Sequence, residues 1–151
     1  MTSYPPIIDK TPFENVIIAV WYDIDVADSM QVQHYFTKDA KIWFGTRLVE
    51  GRETIHDGYQ QRIARGPRLS RHVISNVFVI RADENSAETL CCVRLYAGNG
   101  TAPLPNPEPI SVADQYDKFV RDENGNWLIA ERRLSNLFFH PDTVFSEPPS
   151  K

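Results

Sequence analysis

The chain has 151 residues, 42% hydrophobic and 24% charged, the balance of one globular domain with a sizeable core. Its formal net charge of −4 leaves no basic footprint and argues against nucleic acid as a partner. Cys91 and Cys92 are adjacent, and neighbouring strand residues point to opposite faces, so no disulfide is expected between them.

In chain order, residues 1–12 read as a loose arm with little periodicity. The start, Met1 to Pro6, lacks the basic and apolar regions of a signal peptide. No apolar run approaches the roughly 20 residues that span a bilayer. The expectation is a cytoplasmic protein with no membrane partner. Phe13, Val16, Ile17, Val20 and Ile24 then follow helical spacing and form one apolar stripe. Asp25 sits one position past that stripe, on a flank shared with Trp21. A carboxylate there can point into a pocket without entering the core.

Asp28-Ser29-Met30-Gln31 resembles a capping box and predicts a second helix through Tyr35-Phe36. Thr37–Asp39 is expected to turn, Ala40–Phe44 and Arg47–Glu50 to be short paired strands. Ile55, Tyr59 and Ile63 at steps of four predict a third helix over Arg52–Arg65, stopped by Gly66-Pro67.

Ser70–Ala82 is rich in β-branched residues and has no internal Gly or Pro, so it reads as a long strand. Strict alternation puts His72, Ile74, Asn76, Phe78 and Ile80 on one face. A histidine among large apolar residues needs a polar partner, because an unpaired buried polar group costs roughly 1–3 kcal/mol. Ala87–Ala97 is the next strand. Gly98–Pro109 holds two Gly and four Pro and is a long loop. Strands over Ile110–Arg121 and Asn126–Phe138 flank an Asn-Gly hairpin turn, and residues 139–151 form a tail. Helices segregated from an antiparallel meander define an α+β domain over 13–138. Its curved sheet is expected to enclose an apolar pocket under the first helix and the Gly98–Pro109 loop.

Several side chains are candidates for that pocket. Arg132, with Leu128, Ala130, Leu134, Asn136 and Phe138 on its strand face, wants an anion, either a substrate group or a structural carboxylate. Asn76 could bind a substrate oxygen or cap backbone. Asp114, Tyr116 and Lys118 form a polar run that is either a solvated edge or, at Asp114 and Tyr116, a ligand contact. Trp21, Tyr22 and Trp43 read as core or pocket wall. His34, His56 and His140 have no metal-site spacing, and no nucleotide-binding glycine loop or nucleophile elbow occurs.

Three stretches carry a family resemblance. They are Asp25–Asp28 with Tyr35-Phe36-Thr37-Lys38-Asp39-Ala40; Gly51–Ile55 leading to Arg71–Val77; and Asp122–Ala130. Together they resemble the SnoaL-like branch of the nuclear transport factor 2-like superfamily. That resemblance implies a cystatin-like α+β barrel with three N-terminal helices on a mostly antiparallel sheet. Two catalytic members, scytalone dehydratase and hexachlorocyclohexane dehydrochlorinase, use a His–Asp pair to take a proton from carbon and expel a leaving group. Their positions fall on His72 and Asp25, and an arginine of the dehydrochlorinase falls on Arg132. The second histidine of scytalone dehydratase has no counterpart, since Cys91 or Cys92 stands near its place. The base Asp of ketosteroid isomerase is likewise missing, since Ile42-Trp43-Phe44 occupies that region.

The resemblance implies a cofactor-free lyase or isomerase of the dehydratase or cyclase type. It would act on a hydrophobic, oxygenated small molecule, as a homodimer by analogy. Arg71–Val77 and the closing hairpin also resemble the β subunits of ring-hydroxylating dioxygenases. Those imply the alternative, a non-catalytic structural or ligand-binding subunit.

Overall fold

A computed structural model of the chain describes residues 6–105 and 108–143. Residues 1–5 of the expected arm, 106–107 of the expected loop and 144–151 of the expected tail lie outside the described residues.

The elements in order are α1 (Thr11–Val26), a single 3₁₀ turn (Val32–Tyr35), β1 (Phe36–Phe44), β2 (Arg47–Glu50), α2 (Arg52–Ala64), β3 (Arg68–Ala82), β4 (Ser86–Asn99), β5 (Ser111–Arg121) and β6 (Trp127–Phe139). The six strands form one sheet in the order β2-β1-β6-β5-β4-β3. All neighbours are antiparallel except β1 and β6, so the sheet is mixed. Among the described residues no helix is long and apolar enough to cross a membrane.

α1 lies across the concave face, touching β3 and β6. Phe13, Ile17, Val20, Trp21 and Ile24 are all buried, each large apolar side chain contributing about 1.5–3 kcal/mol by leaving water. Phe13 anchors the far end against Phe119 and Trp127, ring centroids 5.2 and 5.0 Å away.

Two expected features are corrected. The chain has two α-helices, not three, because the segment after Asp28 makes only the 3₁₀ turn before entering β1 at Phe36. Asp28 and Ser29 both have φ of 55°, left-handed geometry that an N-cap does not use. The segment instead wraps the buried Asp23, whose carboxylate accepts the Gln31 backbone N–H (3.1 and 3.2 Å) and whose carbonyl accepts those of Ala27 and Ser29. The expected turn at Thr37–Asp39 is likewise part of β1.

The second correction concerns which way β3 faces. Register shifts occur between Ser75 and Phe78 and between Val79 and Arg81. Asn76 carries the first, at φ 56°. Each bulge adds one residue and reverses the alternation. Ser70, His72 and Ile74 face the core before it, Val77 and Val79 after it. Phe78 and Ile80 are turned out to 61% and 47% exposure. A similar shift in β6, where Lys118 opposes Glu131 but Phe119 opposes Ile129, lets both Ile129 and Arg132 point inward.

Candidate active site

Asp25 comes from the last turn of α1 and His72 from the start of β3, and the fold brings them into contact. Asp25 Oδ1 lies 2.8 Å from His72 Nδ1 and accepts the Ser70 hydroxyl at 2.7 Å. Asp25 Oδ2 accepts the His72 backbone N–H at 2.6 Å. Ser70 and His72 are two apart on one strand, so a single carboxylate reaches both. An ionised carboxylate only accepts hydrogen bonds, so Nδ1 carries the proton and Nε2 keeps a free lone pair.

Electrostatics favour that state. Burial alone would push the Asp25 carboxyl up, but the hydrogen bonds from His72 and Ser70 outweigh it and hold the group below its ordinary value. Burial pushes the His72 imidazole below its ordinary 6.5, against the pull of Asp25, and the Arg62 and Arg132 guanidiniums push the same way as burial. The ring is therefore neutral near pH 7, the form that accepts a proton. Its side chain is 9% exposed.

A second polar group lies beneath the dyad. The Trp21 indole stacks on the His72 ring at 3.8 Å between centroids and 13° between planes. Trp21 Nε1–H donates to Gln115 Oε1 at 2.9 Å, and Gln115 Nε2 donates to Asp117 Oδ2 at 2.7 Å. Arg132 grips Asp117 through Nε (2.7 Å) and Nη2 (2.9 Å), with its guanidinium over the rings of Trp21 (5.0 Å) and Phe36 (5.7 Å). The anion Arg132 requires is thus supplied by the protein. Burial, with the Asp117 charge pushing the same way, raises the Cys91 thiol to about 12, which keeps that sulfur an inert thiol.

The other expected contacts do not converge on the dyad. Asn76 is exposed and occupies the bulge. Tyr22 is 60% exposed on α1. Trp43 alternates with the buried Ile42 onto the outer sheet face, under Arg133 at 5.4 Å. Asp114 and Tyr116 alternate with the buried Ala113, Gln115 and Asp117, and so face outward. The Tyr116 hydroxyl donates to Glu88 at 2.6 Å. The inward partners Gln115 and Asp117 were missed, although they share a strand face with Ala113 and Phe119. Reading both faces of β5 would have found them.

Clefts among the described residues include one of about 280 Å³ beside Ile7, Thr11, Val77 and Phe78 and one of about 300 Å³ beside Pro109, Phe138, Phe139 and His140. Neither is lined by His72 or Asp25; the second borders the end of the Gly98–Pro109 loop. No cluster of three or more His, Cys, Asp and Glu side chains is placed to hold a metal among the described residues.

A curved mixed sheet wrapped on one long helix, with an acid at the helix end and a histidine on the first long strand, defines a cystatin-like α+β protein. The chain belongs to the SnoaL-like domain family, which it matches over residues 9–133. Among solved structures it is similar to a protein from Novosphingobium aromaticivorans provisionally named a scytalone dehydratase, at a TM-score of 0.75, 18% identity and coverage of 89% and 88% of the two chains. It is also similar to ActVI-ORFA of Streptomyces coelicolor (TM-score 0.71, 15% identity, 84% and 96% covered). A cystatin-like protein of unknown function from Nostoc punctiforme matches as well (0.71, 17%, 89% and 92%). At these identities the likeness concerns the fold. No curated protein matches in sequence at a significant level.

Proposed function

We propose that this SnoaL-like protein is a cofactor-independent lyase or isomerase of the dehydratase or cyclase type, with His72 as general base and Asp25 as its orienting acid. The observation that carries this reading is the 2.8 Å contact between His72 Nδ1 and Asp25 Oδ1. Nε2 takes a proton from a carbon next to a carbonyl, and the C–H electron pair becomes an enolate. Asp25 stabilises the imidazolium that results. The proton then returns to a different carbon, giving isomerisation; in closure the enolate carbon instead attacks a second carbonyl carbon of the same molecule, a C–C bond forms, and that carbonyl's π pair moves onto its oxygen, which takes the proton from the His72 imidazolium. Alternatively the proton leaves with a β-hydroxyl as water, while the C–O bond breaks and a C=C bond forms. The substrate is a hydrophobic, oxygenated small molecule such as a polyketide, terpenoid or aromatic intermediate. The sheet face left uncovered by helices would pair in a homodimer.

The test is a panel of aromatic β-hydroxy ketones incubated with the protein in D₂O without cofactor, followed by proton NMR. Deuterium uptake or elimination is expected, slowed by about 10²–10⁴-fold in His72→Gln with the fold intact by circular dichroism. Equal rates in the variant, or no reaction of the wild type with any member, would sink the base assignment. A second reading, a non-catalytic subunit, is favoured by one observation: Arg132 is already neutralised by Asp117 and so is not held open for a substrate. On that reading His72→Gln changes stability alone.

A further inference from the structure

Asp25 stands where a carboxylate is poorly placed. It is the last residue but one of α1, whose last turn holds no basic residue, and the carbonyl end of a helix carries partial negative charge. Three donors from one stretch of β3 offset this. Oδ1 takes both the Ser70 Oγ–H at 2.7 Å and the His72 Nδ1–H at 2.8 Å, and Oδ2 takes the His72 backbone N–H at 2.6 Å. Arg71 Nη1, between them in sequence, donates to the Asp25 and Ser70 carbonyls. Alternate residues of the strand thus hold the acid, and the residue between holds the helix end.

Ser70 is 2% exposed, so water does not compete for its hydroxyl. An ionised carboxylate only accepts, which fixes the direction of the Ser70 proton toward Oδ1. Ser70 and the ring therefore draw on the same oxygen. Charge drawn toward the Ser70 hydroxyl is charge less available to an imidazolium at Nδ1. The other elements around the ring do not duplicate this contact. Arg62 of α2 and Arg132 of β6 push the ring the same way as burial, and Arg132 is already paired with Asp117 of β5. Tyr59 of α2 lies in the field of Asp25, and on β4 the residue opposite His72 is the apolar Leu95. Among the described residues, no side chain but those of Ser70 and His72 donates to the Asp25 carboxylate.

We propose that Ser70 is a positioning residue for the base: by sharing Asp25 Oδ1 with the Nδ1–H it weakens the pull of the carboxylate on a protonated ring, and so keeps His72 in the neutral form that accepts a proton. Its use in catalysis rests on reading the dyad as the site; the sharing of one oxygen does not. Without the Ser70 hydroxyl, Asp25 keeps one donor on each oxygen and stays against the ring. Its whole charge at Oδ1 then falls on the Nδ1–H, the imidazolium is held more firmly, and the ring carries its second proton to higher pH.

The test is a ¹⁵N and ¹H NMR titration of the His72 ring, from about pH 5 to 8, in the full chain as wild type, Ser70→Ala and Ser70→Cys. Cysteine keeps nearly the shape of serine but offers only a weak donor, so it separates the hydrogen bond from the packing and carries the test if Ser70→Ala does not fold. Both variants are expected to keep the Nδ1–H tautomer, to move the Nδ1–H resonance downfield and to move the titration midpoint up. Where the wild type turns over a substrate, the acid limb of its pH profile should move up with the midpoint. The titration needs no turnover, so an inert wild type would remove the base role of His72 and leave the Ser70 result standing. A midpoint that is unmoved or lowered in a folded variant, or a Ser70→Cys ring that titrates as the wild type does, overturns the proposal.

Discussion

His72 and Asp25 respond to acid in the same direction for different physical reasons. The folded His72 imidazole has its proton affinity lowered by burial, with Asp25 opposing. As pH falls, the unfolded chain binds this proton first, near the ordinary 6.5. Its contribution is therefore present above about pH 6.5 and is lost as pH drops toward the folded value. Asp25, held low by the hydrogen bonds that outweigh its burial, adds a loss only below its ordinary 3.8. Asp23 works the other way. Burial raises it, so its contribution is present below 3.8 and declines as pH rises through its folded value. The expected result is a urea midpoint that falls between about pH 7 and pH 5 in the wild type and changes less in His72→Gln. Matching pH profiles in the two proteins would show that the ring titrates as it does in water. Any activity should share this acid limb, with half its value reached below pH 6.5.

At the level of elements, the departures from regular alternation set which residues meet. Asn76 is exposed, makes the left-handed turn of the first β3 bulge, and contributes no packing. Asn tolerates this geometry and glycine tolerates it better, whereas a β-branched residue resists it. Asn76→Gly should leave the urea midpoint unchanged or slightly raised. Asn76→Val should lower stability by about 1–3 kcal/mol; equal midpoints would mean the bulge stores no strain. The same device explains what the sequence made legible. The first-helix stripe and the long strands are periodic, and the structure places them close to where periodicity does; α2 forms over Arg52–Ala64, but of its expected stripe Ile55 is buried, Tyr59 partly buried and Ile63 exposed. The contact of Asp25 with His72 was legible through the family resemblance and the position of Asp25 beside the stripe. The inward set beyond Asn76 was not, because a bulge changes the parity of every later residue and a β-rich run gives no local sign of it. The loop around Asp23 was misread as a helix start for a related reason. Asp28-Ser29 has the composition of a cap, and only the buried acid behind it dictates the left-handed path.

Across the whole molecule, the inner face is tied together by one polar chain. It runs from β6 through Arg132 to Asp117 and Gln115 on β5, then to Trp21 on α1, and through the stacked rings to His72 on β3. Asp25, the last residue but one of α1, closes the loop back to β3. The helix is thus located against the sheet by directional contacts at the end where the dyad stands, and by apolar packing of Phe13 and Ile17 toward the other end. Arg132 and Asp117 are each 1% exposed in their side chains, so neither charge has water to fall back on. Removing one leaves the other buried and unpaired, which costs about 3–5 kcal/mol, whereas replacing both by apolar groups of similar volume is often close to neutral. Arg132→Met alone, and Asp117→Leu alone, should each lower unfolding free energy by about that amount. The double variant should recover most of it, although Gln115 then loses its acceptor. The readout that separates scaffold from site is the His72 ring. If the chain only holds α1 in place, the double variant keeps the His72 shifts and the Nδ1–H tautomer. If Gln115 fixes the Trp21 plane on which the imidazole rests, the double variant folds but its His72 ring resonances broaden or move. The 13° interplanar angle and the 2.9 Å indole hydrogen bond lead us to expect the second outcome.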